Sequence, residues 1–211
     1  MTESLTATER TTVRRRAERG SFDRAAAYAI LDEAFVVHVG FVVDGAPRVL
    51  PMAFARVDDA LYLHGAVRNA MLRASACAEV CLTVTLLDGL VLARAAMHHS
   101  MNYRCVVLYG VAERVDDETE KRSALDAVVD HASAGRAAEA RAASDSELRK
   151  TLVLRVRIDE GSVKVRTGGP IDDAEDRDFP AWAGVIPLTL VAGEPIPDEV
   201  VGVEATGWET G

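Results

Sequence analysis

With 211 residues, 49% of them hydrophobic and 27% charged, the chain can bury one substantial core and has the make-up of a globular protein. Acidic residues outnumber basic ones 33 to 24, and the formal net charge of −9 argues against nonspecific binding to nucleic acid or acidic membranes, because the long-range field repels phosphates. No apolar run approaches the ~18 residues of a membrane span and no hydrophobic signal core opens the chain, so a cytoplasmic protein is expected.

Residues 1–20 are polar, with Arg14, Arg15, Arg16 and Arg19 among Thr and Glu, and read as a flexible N-terminal arm. One domain is expected over 21–197, then an acidic C-terminal tail over 198–211. Ser21 is placed to cap a helix beginning near Asp23, with Ala26, Ala29, Ile30 and Ala34 as its apolar face. Over 35–43 the β-branched and aromatic residues predict a strand, Asp44-Gly45 a tight hairpin, and 48–55 the return strand. Pro51 has no N–H for a ladder, so it marks a sheet edge or a bulge. Asp58-Asp59 turns the chain into a strand ending at His64, and a sharp turn at Gly65-Ala66 leads to a short helix around Met71. Residues 80–87 and 90–95 predict a further hairpin about Asp88-Gly89. A polar run, 98–104, then interrupts before a strand over 105–112. A helix over 116–131 follows, then a loop with partial helix over 132–145. Strands over 151–158 and 162–166 turn at Asp159-Glu160-Gly161. Hairpin-linked strands with few helices predict a mostly antiparallel sheet closing into a β-barrel with peripheral helices.

Two polar stretches flank that sheet. A strand feeding a helix start leaves backbone N–H groups pointing outward, which attracts an anion, and Arg68 beside them strengthens the attraction. His64 ends the strand, where its ring either faces a ligand held by the turn or is an ordinary satisfied histidine of a βα corner. In the second stretch, His98 and His99 are neighbours in an extended run and point to opposite faces, so they cannot share one metal ion. Tyr103 and Arg104 read as hydrogen-bonding groups at a barrel rim, and Trp182 as a core plug. Cys77, Cys81 and Cys105 are too few for a closed zinc site and read as reduced, mostly buried thiols. No Gly-x-Ser-x-Gly, Walker A, Gly-x-Gly-x-x-Gly or His-Glu-x-x-His motif is present.

The runs Val39-Gly40-Phe41 with Asp44-Gly45, Leu50-Pro51-Met52, Leu61-Tyr62-Leu63-His64-Gly65-Ala66, Asp88-Gly89-Leu90-Val91-Leu92-Ala93-Arg94, His98-His99-Ser100-Met101-Asn102-Tyr103-Arg104 and Trp182-Ala183-Gly184-Val185-Ile186-Pro187 occur in one order. In them the chain resembles the pyridoxamine 5′-phosphate oxidase-like proteins with an FMN-binding split β-barrel, in the branch that includes nitroimidazole-resistance proteins. The resemblance implies a homodimer with two flavin sites, each lined by both subunits. It implies a flavin-binding set of Arg48, Leu50, Pro51, Met52, His64, Gly65, Ala66, Arg68, Asn69, Arg73, Ser100, Asn102, Tyr103, Arg104 and Trp182. The FMN phosphate is expected at the turn after His64-Gly65. There the chain departs from its relatives: their Gly-Arg-Lys or Ser-Arg falls on Asn69, Ala70 and Met71, leaving Arg68, with Arg48 and Arg73 as substitutes.

Two functions follow. One is a flavin-dependent oxidoreductase passing electrons from a nicotinamide to a small acceptor, with His64 as a proton donor. The other is a carrier that holds flavin or haem without turnover. FMN is the expected cofactor, with FAD, a deazaflavin and haem as the alternatives.

Overall fold

A computed structural model describes residues 3–198; all of the expected C-terminal tail but Asp198 lies outside the described residues. The elements in chain order are β1 (Gly20–Ser21), α1 (Arg24–Glu33), β2 (Val37–Val43), β3 (Ala46–Met52), β4 (Phe54–Val57), β5 (Ala60–Ala66) and α2 (Ala70–Ser75). Next come β6 (Glu79–Leu92), β7 (Ser100–Val111), β8 (Glu113–Arg114), α3 (Glu118–Ala132), α4 (Arg136–Glu139), α5 (Asp145–Lys150), β9 (Thr151–Arg157), β10 (Glu160–Arg166) and β11 (Gly184–Pro187). One sheet has the order β1-β10-β7-β6-β2-β3 with β11 beside β6, and a second has the order β4-β5-β9-β8. All the pairings described are antiparallel, apart from a lone parallel bridge between Thr6 and Glu160. No helix among the described residues is long and apolar enough to cross a membrane.

The chain divides into two compact units, interleaved in sequence. Among the described residues, the first contains 3–34, 82–108 and 159–189; the second contains 35–81, 109–158 and 190–198. In the second unit Ala60, Tyr62, Val115, Ala124 and Val153 form a buried cluster under Val57 and Leu125. Leu61, Leu63 and Leu154 are almost fully buried there, each worth about 1.5–3 kcal/mol relative to exposure. The Tyr62 hydroxyl ends this core on Glu120 at 2.8 Å, and Arg155 holds the same carboxylate at 2.9 Å.

The expected hairpin at Asp44-Gly45 is present, with φ of 50° and 75°, a left-handed pair that those two residues tolerate. Pro51 lies on β3, the last strand of its sheet, as its missing N–H requires. The return strand breaks at Ala53 into β3 and β4.

Four expectations are corrected. Asp88-Gly89 is not a turn: β6 runs straight through it, because Arg104 holds the Asp88 carboxylate at 2.8 Å and Gly89 lies opposite Pro187 of β11. A Cβ at Gly89 would stand 3.0 Å from Val185 Cγ1. The helix cap is Asp23, whose side chain accepts from the Ala25 N–H, while Ser21 Oγ accepts from the Asp23 N–H. The buried face of α1 is consequently Ala27, Ile30 and Leu31, not Ala26 and Ala29. The thiols are free, but Cys77 is exposed and the other two are half-buried.

The fourth correction concerns the N-terminal arm, which is pinned to the first unit. Leu5 and Thr11 are each 3% exposed. The Leu5 N–H donates to the Phe22 carbonyl at 2.7 Å and the Thr6 N–H to that of Asp159 at 2.7 Å. Arg10 grips Glu160 with two bonds of 2.7 and 2.6 Å, and Thr8 adds a third. The cluster of arginines thus follows a tethered segment and leads into a short 3₁₀ turn over Ala17–Arg19, with Arg16 as its N-cap.

Candidate functional site

The turn after β5 is built by register and by one glycine. His64 lies opposite Val153, Gly65 opposite Leu152 and Ala66 opposite Thr151 of β9. The Val67 N–H then donates to the Lys150 carbonyl at 2.9 Å, and the Asn69 N–H closes the turn on the Ala66 carbonyl at 2.8 Å. A Cβ on Gly65 would sit 2.5 Å from Leu72 Cδ1, so its absence lets α2 fold back over the strand end. Asn69 Oδ1 accepts the Leu72 N–H at 3.2 Å. That side chain occupies a donor which a phosphate at this turn would need. Arg48, Arg68 and Arg73 are exposed and make no salt bridge among the described residues.

His64 is half-buried, and its Nδ1 is shut off from water without a hydrogen-bond partner. Burial pushes its pKa below the ordinary imidazole value, so the ring is neutral at pH 7. Leaving such a nitrogen unpaired costs roughly 1–3 kcal/mol, an expense typical of a group kept for a ligand. On β3, Arg48 lies opposite Phe41, Leu50 opposite Val39, Pro51 opposite His38 and Met52 opposite Val37. β2 is therefore flanked by β3 and also touched by α2, which brings both halves of this residue group to one strand.

The remaining predicted residues belong to the first unit. Ser100, Asn102, Tyr103 and Arg104 lie inside β7 and do not interrupt it. Arg104 is not free for a ligand: its guanidinium is bound to Asp88 and, through both terminal nitrogens, to Glu33. The hydrogen bond from Arg104 holds the Glu33 carboxyl below its usual range. Asn102 is buried, donates to the Gly168 carbonyl at 3.1 Å and accepts from Arg166. Trp182 is 64% exposed, so it is no core plug; its ring covers Gly184, where a Cβ would be 2.8 Å away. His98 ends a 3₁₀ turn, Ala96–His98, so the argument from strand alternation does not apply to the two histidines. His98 Nε2 meets Asp173 at 3.2 Å, and His99 Nδ1 meets the Ala95 carbonyl at 3.2 Å.

Sequence reasoning missed Arg166 as a site residue. It is 4% exposed, yet its guanidinium bonds only neutral groups: Asn102 Oδ1 and the carbonyls of Gly168 and Gly169. The signal was the repeat of Lys164 and Arg166 on one face of β10, alternating with Val163 and Val165.

The pyridoxamine 5′-phosphate oxidase family model matches residues 23–165, more than half of the chain. This chain belongs to that family. It is similar to the flavocytochrome Anf3 from Azotobacter vinelandii, with 41% identity over 91% of this chain and 90% of that one, and a TM-score of 0.86. It is similar to the FAD and haem binding protein from Mycobacterium smegmatis, with 38% identity over 87% and 91% and a TM-score of 0.84. A protein from Bacteroides thetaiotaomicron, assigned to 5-nitroimidazole antibiotic resistance, is 30% identical over 68% and 84%, with a TM-score of 0.56. No curated protein matches. The mostly antiparallel fold, with few helices, is that of the split-barrel class expected from the sequence.

Proposed function

We propose that this protein binds FAD and haem and moves electrons from a nicotinamide donor to a small acceptor. The observation that carries this reading is the likeness, at 41% and 38% identity across about nine-tenths of each chain, to two proteins named for a flavin together with a haem. FAD is taken over the FMN implied by the family resemblance because the second of these relatives is named for FAD. Bound flavin would supply hydride acceptance, and haem iron one-electron chemistry.

The protein's share begins with His64. A neutral imidazole without a protein partner suits either role a prosthetic group would ask of it. It can donate a ring N–H to a flavin oxygen, or offer a ring nitrogen lone pair to iron. Its lowered pKa makes it a poor store of protons near neutrality, so positioning is the assigned role in place of acid catalysis. Arg68 and Arg73, exposed and unpaired, would screen the flavin's phosphates. The site shared between two copies is part of the same reading. Val42 and Val49, each 63% exposed, stand with Pro47 and Pro51 on the β2–β3 hairpin as an apolar face for a second chain.

The test is anaerobic titration of the purified protein with a reduced nicotinamide, followed by absorbance. Bleaching of a flavin band followed by reduction of a haem band is expected. Bound cofactors that no nicotinamide reduces would leave the carrier reading standing, and a colourless protein would end both.

A further inference from the structure

Within the first unit, Arg15, Arg16, Arg19, Lys164 and Arg166 line one open cleft of about 290 Å³ with Met97, His98, His99, Ser100 and Ile171. That is near the lower end of the ~300–1,000 Å³ of small-molecule sites. In a chain of net charge −9, five cations here meet no carboxylate among the described residues. No carboxylate lines the cleft, and Asp173, outside the lining, pairs with His98 at 3.2 Å. Three observations say that the arrangement is built. The arginines ride on a segment pinned by Leu5, Thr11 and the Arg10–Glu160 pair. Arg16 adopts φ 57°, a left-handed conformation that a non-glycine residue rarely takes. Arg166 is 96% removed from solvent on the same wall, with no counter-ion and an unpartnered Nε. Burial, and then the charge of Arg19, both oppose its ionisation, yet an arginine stays charged. Such a charge is held at a cost that an incoming anion removes.

We propose that this cleft is a binding site for the pyrophosphate of a dinucleotide, with Arg166 as its buried charge and Arg15, Arg16, Arg19 and Lys164 as its rim. Guanidinium forks match phosphate oxygens in pairs, and several on one wall fit a doubly charged, extended group better than a single carboxylate. Ser100 and the two histidines add polar groups to the lining. The site stands whether or not the flavin reading does, because it needs no residue of the His64 turn.

The probe is inorganic pyrophosphate, titrated calorimetrically into the full-length protein as purified. Saturable binding is expected, steeply weakened by salt. It should weaken at least ~tenfold in Arg166→Gln, and likewise in Arg16→Ser/Arg19→Ser, whose residues are surface groups and leave the core alone. Arg136→Ser/Arg141→Ser, in the other unit, should leave it unchanged. Displacement of bound flavin by pyrophosphate would assign the site to the flavin's own pyrophosphate, and competition with a nicotinamide dinucleotide would assign it to the electron donor. Absence of saturable binding at millimolar pyrophosphate, or binding that survives the Arg16→Ser/Arg19→Ser pair, would overturn the proposal.

Discussion

Arg104 on β7 and Arg166 on β10 belong to the same unit and face opposite electrostatic fates. Arg104 is half-exposed and saturated, with Asp88 on one side and Glu33 on the other. Arg166 is buried and bonds only to neutral oxygens. A paired arginine with solvent nearby is a clip between strand and helix, and removing it relaxes the fold. A buried, uncompensated one adds little to the fold and keeps its charge available to something that binds. The first was the expected site residue and the second was not. The contrast shows that residue type says less than what has already neutralised the charge.

The largest expected effect separates the two directly. Arg166→Gln should cost the ~tenfold or more in pyrophosphate affinity given above, while thermal unfolding without ligand changes little, since relief of the buried charge offsets the lost bonds to Asn102, Gly168 and Gly169. Arg104→Met should do the reverse. Asp88 and Glu33 would lose their shared partner, and a stability loss of about 1–2 kcal/mol, discounted for their solvent exposure, is expected in denaturant unfolding with pyrophosphate affinity intact. Equal losses in both assays for both variants would erase the distinction.

A smaller effect concerns the latch that holds the arginines of the cleft. The Arg10 hydrogen bond, aided by Thr8, holds the Glu160 carboxyl down at about 2. A carboxyl depressed on folding stabilises above its unfolded pKa, near 4.3. That contribution fades as pH falls from there through about 2. Hydrogen exchange at the amides of Leu5 and Thr6 should therefore quicken across that window, and Glu160→Gln should quicken it at neutral pH. Exchange that ignores both changes would detach the segment from Glu160.

The smallest effect belongs to His64. Its folded pKa is lowered, so the unfolded chain binds the extra proton first, and stability should fall slightly as pH drops through the ordinary imidazole range. An NMR titration should place the His64 midpoint below that of a free histidine. A midpoint at or above the free value would mean that the ring has found an acceptor.

Local chemistry was legible in the sequence wherever local chemistry decided the outcome. Asp44-Gly45 turns because both residues accept positive φ, and Pro51 sits on an edge because it lacks a donor. Asp88-Gly89 is the same dipeptide and does not turn, since Arg104 and β11 hold it in a strand from far along the chain. The same limit hid the cleft. Arg15, Arg16 and Arg19 look like a solvated arm until Leu5 and Thr11 are seen to be buried, and β10 brings Lys164 and Arg166 to them from nearly 150 residues away. At the His64 turn the strand was readable, but β5 runs on through Gly65 and Ala66 and the corner comes only after them, because both pair with β9. That Asn69 caps α2, and that Nδ1 of His64 is left alone, needed coordinates.

We propose above that the chain carries FAD and haem together. The most direct test is to denature the protein purified from cells supplied with riboflavin and haem, then identify and count what is released by chromatography and mass spectrometry. The account predicts FAD and haem, each approaching one per chain. Release of FMN or a deazaflavin in place of FAD, or of flavin without haem, would contradict it.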